Sequence, residues 1–204
     1  MSEPEKYAEY GLVDIASIDP SIKVELKYGT TDNFMHRVMY SMSDRAFAEE
    51  NLARAVSAAQ QLLKTINPSL SIIVYDAARP ISIQRMMFDS VKGTPSERYV
   101  ANPYDKIRGG YHNYGLAVDI AIVDEQGKML DFGTGYDSFS ELAHPGNEAV
   151  LVNKGLISMQ AYENRMLLYY ITAKQGLLPY EFEWWHYQLV QRDEDKQRYR
   201  LLDF

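Results

Sequence analysis

The sequence predicts an α+β fold, a single domain over residues 1–204 with a central, mostly antiparallel sheet flanked by helices. Three observations carry that expectation. Long runs with apolar residues at helical spacing and short apolar or alternating runs of strand type follow one another in mixed order. A chain of 204 residues is long enough for one full hydrophobic core and short for two. No internal repeat and no Pro/Gly/Ser-rich linker divides it.

Taken in order, IKVELKY at 22–28 reads as an early strand that runs into a polar loop. Ser43 and Asp44 offer an N-cap for a helix across 44–66, with Phe47, Leu52, Ala55, Val56, Ala59, Leu62 and Leu63 at helical spacing. Asn67-Pro68 ends it. SLSIIVYDAARP is a strand that stops at Arg79-Pro80, and a second helix is expected over 81–92, up to Lys92-Gly93. Arg79 therefore stands at a strand-to-helix junction, where a rigid scaffold can aim a side chain outward.

From Leu116 to Val123 the residues alternate: Leu116, Val118, Ile120 and Ile122 on one face, Ala117, Asp119, Ala121 and Val123 on the other. Asp119 shares its face with two alanines, which leaves room above it either for a site or for a closely packed helix. DEQGK reads as a hairpin turn and LDFGTGYD as a glycine-bearing loop. A long helix follows over 158–174, carrying Tyr162, Met166, Tyr169 and Tyr170 and stopped by Gly176. The last strand spans 183–190, and QRDEDKQRYR is a charged tail.

Composition excludes several classes of function. An apolar fraction of 46% and a charged fraction of 24% are those of an ordinary folded soluble protein rather than a disordered one. Lys plus Arg number 21 against 28 Asp plus Glu, a net charge of −7 with no basic cluster, so nucleic acid is not an expected partner. The absence of cysteine removes disulfides, thiolate metal ligands and cysteine nucleophiles together. The start, MSEPEKYAEYGLVDI, has no apolar signal core, and no stretch approaches the roughly 18 apolar residues of a membrane span. A soluble protein without a membrane partner is expected, cytoplasmic, or periplasmic where a signal segment has been removed ahead of residue 1. Nothing in the chain sets an oligomeric state.

The histidines are His36, His112, His144 and His186. A hydrolytic zinc site commonly uses three side chains from His, Asp and Glu and keeps a fourth position for water; His112, Asp119 and His186 would make such a set. Glu183 and His186 form E-x-x-H, in which the carboxylate would serve as general base. Three residues apart in a regular strand, the two side chains face opposite ways, so a shared site requires a bend or bulge near Glu183. A solvated edge glutamate and a hydrogen-bonded core histidine explain the same pair. Trp184 and Trp185 would face both ways, one into the core and one towards a cleft. Arg79 suits a carboxylate, an oxyanion or a structural salt bridge. Asp137 suits a helix N-cap before SFSELA or a substrate ammonium.

Taken together, VELKYGTTDNF, YDAARP, GYHNYGLAVDI, FGTGYDSFSELAH and EWWHY, in this order along the chain, resemble the zinc-dependent D-alanyl-D-alanine dipeptidase family. The resemblance implies a zinc D,D-peptidase/Hedgehog-like fold and one Zn2+ per chain. It implies His112, Asp119 and His186 as metal ligands, Glu183 as catalytic base and Arg79 as the residue that steadies the tetrahedral intermediate. It implies Asp137 as the acid that holds the substrate amino group, so that longer chains are rejected, with Tyr28 as a further pocket residue and Trp184 and Trp185 beside the substrate. The family pattern S-x-H-x-x-G-x-A-x-D falls on Gly110, His112, Gly115, Ala117 and Asp119, with glycine at 110 in the place of serine. The implied substrate is a small D,D-dipeptide. The alternatives are a zinc D,D-carboxypeptidase acting on peptidoglycan stem peptides, or a catalytically silent zinc-stabilised binding module. Glu183 beside His186 argues against the last. His36 is expected on a surface loop, and His144 is assigned no role.

Overall fold

The computed structural model describes residues 2–106 and 108–204. Its elements are α1 (Glu3–Glu9), β1 (Val13–Asp14), α2 (Ile15–Ile18), β2 (Lys23–Val24), β3 (Phe47–Ala48), α3 (Glu50–Ile66), β4 (Ser71–Asp76) and α4 (Ile81–Val91). These are followed by β5 (Ala117–Val123), α5 (Glu148–Asn153), α6 (Met159–Ala173), β6 (Leu178–Tyr180) and β7 (Glu183–Gln188), with short 3-10 turns between elements. A five-stranded sheet has the order β2-β4-β5-β7-β6, and only its β2–β4 pair is parallel. β1 and β3 form a separate antiparallel ribbon. The fold is α+β around a mostly antiparallel sheet, as the sequence predicts.

Helices α3 and α6 pack on each other, α3 also on β4 and α6 on β5 and β6, so the two cover one face of the sheet. The stripe Leu52, Val56, Ala59 and Leu63 of α3 is fully buried there. Every residue of β5 is buried, which identifies it as the centre of the sheet, covered on both faces. Such a strand loses every side chain from water, at about 1.5–3 kcal/mol for each Val or Ile. Among the described residues no helix is long and apolar enough to cross a membrane.

Local chemistry explains where the elements end. The Ser158 hydroxyl accepts from the Ala161 N–H at 2.9 Å and starts α6 at its expected place. Gly176, at φ +74°, lies just beyond its end. The start of α3 differs from expectation. Ser43 and Asp44 do not cap it; the Glu49 carboxylate does, accepting from the Asn51 and Leu52 N–H groups at 2.7 and 3.2 Å. Residues 47–48 are extended because they pair with Val13–Asp14, and Phe47 stacks on Tyr7 at 5.0 Å rather than joining the helix stripe.

The expected strand over 22–28 is likewise cut to Lys23–Val24, and the chain turns through a 3-10 segment at Lys27–Gly29 that brings Tyr28 inward. The last strand ends at Gln188 rather than at 190. The charged tail is not wholly solvated: Asp193–Arg198 forms a 3-10 turn, and Lys196 within it is 2% exposed.

Candidate metal centre and active site

Sheet register assembles the centre. Asp119 of β5 lies directly opposite His186 of β7 on one side and Asp76 of β4 on the other. Directly paired residues of neighbouring strands project to the same face, so three polar side chains stand in one row across the sheet. The row is completed from outside by His112, on the 3-10 turn Tyr111–Tyr114 that precedes β5. Gly115 closes that turn at φ +69°, a left-handed conformation that favours glycine, and a Cβ there would press on the Leu12 side chain at 2.8 Å.

The His112 Nε2, Asp119 Oδ1 and His186 Nδ1 atoms converge. Nε2 of His112 lies 3.2 Å from Asp119 Oδ1 and 3.1 Å from His186 Nδ1, and Asp119 Oδ1 lies 3.2 Å from His186 Nδ1. The tautomer of His112 follows from its other nitrogen. Nδ1 sits 2.7 Å from the Ala77 carbonyl oxygen, to which it donates, so Nε2 presents a lone pair to the cluster. Burial pushes the His186 pKa down, with Arg79 adding to the fall and Asp119 opposing it, which favours the neutral imidazole. Burial opposes ionisation of Asp119, but His112 and His186 outweigh it and hold that carboxyl well below its ordinary range. A lone pair of His112, a ring nitrogen of His186 and a carboxylate oxygen of Asp119 thus face one another, and this donor set fits a divalent cation.

Glu183 joins the same centre. Its Oε2 lies 3.7 Å from His186 Nδ1, although the two residues would diverge in a regular strand. The ladder supplies the bend: Pro179 pairs with Tyr187, but the next residue, Tyr180, pairs with Glu183, so β7 bulges between them. Burial raises the Glu183 carboxyl well above its ordinary pKa, with Asp119 and Asp137 adding to the rise and Arg79 opposing it.

Arg79 projects from the junction between β4 and α4, as expected. Its Nε and Nη2 donate to Asp76 Oδ2, the former at 2.8 Å, and its Nη1 donates to Gln84 Oε1 at 2.9 Å. The guanidinium also lies over the Tyr28 ring, 5.1 Å from the centroid. Burial disfavours its charge, but Asp76 and the surrounding tyrosines outweigh that and fix Arg79 as a cation.

Asp137 does not cap a helix. The next helical turn, Glu141–Ala143, is capped by Ser140 instead. Asp137 adopts φ +58°, a left-handed conformation that Asp tolerates better than most residues, and accepts from the Tyr28 hydroxyl at 2.9 Å and the Phe34 N–H at 3.2 Å. Burial pushes its carboxyl up to about 7; the two hydrogen bonds pull the other way without cancelling the rise.

One cavity of about 320 Å³ is lined by Tyr28, Arg79, His112, Asp119, Asp137, Glu183, Trp185 and His186 together. Trp184 is the predicted site residue that is not brought there. It stacks on Phe132 at 4.1 Å and donates Nε1–H to the Thr134 hydroxyl at 2.8 Å, which makes it a core residue on the far face. His36 is exposed, and His144 packs against Tyr99 and Phe182.

Residues that the motifs did not single out orient the others. Tyr136 donates to Asp119 Oδ2 at 2.9 Å, and Tyr40 donates to Asp76 Oδ1 at 2.8 Å. Asp76 could have been found from its place at the end of an apolar strand, three residues before Arg79; nothing in the sequence marks Tyr40. The last described residues also support the site. The Leu202 N–H donates to the Asn113 carbonyl and the Ile81 N–H to the Leu202 carbonyl, both at 2.8 Å, which ties the His112 turn to the start of α4.

The family whose profile matches residues 8–202 is described as D-ala-D-ala dipeptidase, of the peptidase M15 group. A D-alanyl-D-alanine dipeptidase of Escherichia coli is 32% identical over 183 residues, 88% of this chain and 85% of that protein. A protein of the same name from Enterococcus faecalis is 24% identical over 196 residues, 89% of this chain and 93% of the relative. Among solved structures, that of the LdcB LD-carboxypeptidase, a study of peptidoglycan recognition, aligns with a TM-score of 0.38 at 21% identity. The alignment covers 74% of this chain and 63% of LdcB, less than two thirds of its length.

Proposed function

The chain belongs to the D-Ala-D-Ala dipeptidase family of peptidases, and from that premise we propose that residues 1–204 act as one domain, a zinc-dependent enzyme that hydrolyses the free dipeptide D-Ala-D-Ala to two molecules of D-alanine. The observation that carries the reading is the convergence of His112, Asp119 and His186 within reach of Glu183, in a cavity that also holds Asp137.

His112 Nε2, Asp119 Oδ1 and His186 Nδ1 would hold the zinc ion. When bound, that ion supplies Lewis acidity, lowering the pKa of water and polarising a carbonyl. The remaining work belongs to the side chains. Glu183 takes a proton from the attacking water and later delivers it to the nitrogen of the leaving amine, a double task suited to a carboxyl whose pKa burial has raised. Arg79, held rigid by Asp76 and Gln84, offers its remaining N–H groups to the oxyanion. Asp137, held by the Tyr28 hydroxyl and the Phe34 N–H, pairs with the substrate ammonium, a contact that a substrate lacking a free amino group would lose. Trp185 forms part of the wall.

The test is metal analysis coupled to hydrolysis of a panel of D,D- and L,L-dipeptides and a blocked D-Ala-D-Ala-terminated pentapeptide, with and without chelator. The expected result is about one zinc per chain and chelator-sensitive cleavage of the free D,D-dipeptide alone. Preferential cleavage of the pentapeptide would establish a carboxypeptidase instead, and a zinc-loaded protein inert on the whole panel would establish a binding module.

A further inference from the structure

The mechanism uses Asp137 for one end of a dipeptide and leaves the opposite charge, the terminal carboxylate, without a partner. The cavity wall contains a buried cation that no step has used. Lys196, on the 3-10 turn Asp193–Arg198, lines the cavity with Asp193 and with Gly109, Gly110 and Tyr111, the residues that lead into His112.

Several observations describe the setting of this lysine. It is 2% exposed, although an ammonium removed from water is costly unless paired. Its Nζ donates to the Gly109 carbonyl at 2.8 Å and lies 3.1 Å from Asp193 Oδ1. The Tyr111 and Tyr114 rings, with centroids at 5.1 and 5.7 Å, enclose it further. Of these partners, Asp193 is the one whose side chain stands largely in solvent. Its side chain is 59% exposed at the cavity edge, whereas that of Lys196 is 3% exposed. A carboxylate oxygen is thus already seated on Nζ, from a side chain that can leave for solvent at little cost. Arg79, the other long-stemmed cation of the cavity, is braced by Asp76 and Gln84 and already has the oxyanion as its task. Gly110 adds no side chain to the space beside Gly109.

We propose that Lys196 is the carboxylate-recognising residue of this cavity, exchanging Asp193 for the terminal carboxylate of the dipeptide. The inference rests on the dipeptidase reading above. Asp193 is then a built-in competitor, and the ammonium and carboxylate of the substrate are held by residues from two unrelated segments of the chain.

The experiment compares D-Ala-D-Ala with its C-terminal amide on zinc-loaded wild-type enzyme, Lys196→Met and Asp193→Asn. Lys196→Met should lower kcat/KM for the free acid by roughly 10- to 100-fold, through KM, and leave the amide nearly unchanged, so that the preference for acid over amide collapses. Equal losses on both substrates would show that Lys196 only tethers its turn to Gly109 and would overturn the proposal. Asp193→Asn covers the case in which Lys196→Met does not fold: it should lower KM for the free acid and not for the amide, and a KM that stays the same or rises is contrary to the exchange. Wild-type enzyme inert on D-Ala-D-Ala would refute the dipeptidase reading itself; an active wild type whose acid preference survives both substitutions refutes only the role of Lys196.

Discussion

Asp137→Asn should make the protein more stable and less able to bind its substrate, with both effects depending on pH. The substitution keeps the shape of the side chain and tolerates φ +58°, and the amide can still accept from the Phe34 N–H and donate to the Tyr28 oxygen. What it removes is a charge. In the folded protein the Asp137 carboxyl titrates at about 7, above its ordinary 3.8, because burial disfavours the ionised form. The folded state therefore binds a proton that the unfolded state releases between those values, and stability falls as pH rises through that window. For a wholly enclosed group the displacement corresponds to about 4 kcal/mol. Asp137 is half-buried and borders a hydrated cavity, so about 1–2 kcal/mol is the working figure.

The assay is thermal unfolding of chelator-treated protein, in which the charges around Asp137 are those of the chain alone. At pH 8 the variant should melt roughly 3–6 °C above wild type. The gain should shrink steadily towards pH 4, where the wild-type carboxyl is neutral as well. In the zinc enzyme KM for the dipeptide should rise by roughly 10- to 100-fold, the expected loss for a charge-assisted contact. Wild-type KM should also climb as pH falls and Asp137 takes up its proton, whereas that of the variant should not. A variant that is less stable at pH 8, or shifted equally at both pH values, would refute the argument from burial; an unchanged KM would show that the substrate amine is held elsewhere.

Three further outcomes are expected. Glu183→Gln should retain metal and fold while turnover drops by at least about 100-fold, measured as kcat beside metal content; rates near wild type would remove Glu183 as the base. His112→Ala should bind zinc much more weakly, read by competition with a chromogenic chelator, and full occupancy after dialysis would exclude His112 as a ligand. Arg79→Lys keeps the charge but loses the fork that grips Asp76 and Gln84, so kcat should fall on the order of 100-fold with little change in KM. A change confined to KM would place Arg79 in ground-state binding instead.

Local signals in the chain gave most of the scaffold. Ser158 and Gly176 bound α6 because capping and left-handed termination are decided within a few residues. Arg79-Pro80 likewise stops β4 near where it is read to stop. The failures involve partners distant along the chain. Residues 47–48 are extended only because Val13–Asp14 lies beside them, and two-residue strands carry no periodicity to detect. Trp184 and Trp185 are equivalent in sequence, and the residues they pack on, Phe132 and Tyr136, lie some fifty positions earlier in the chain. The clash of strand parity at Glu183 and His186 is visible beforehand, but its resolution depends on how β6 pairs across the bulge. Lys196 looks like part of a solvated charge run until the turn folds it over the tyrosines.

The seam at Leu202 bears on how the enzyme comes into being. Because its two main-chain bonds join the His112 turn to the start of α4, the pocket is finished by a segment some ninety positions downstream of His112. A nascent chain that has just completed its sheet with β7 still lacks this seam, and activity should arise only once the Leu202 segment has also cleared the exit tunnel and docked.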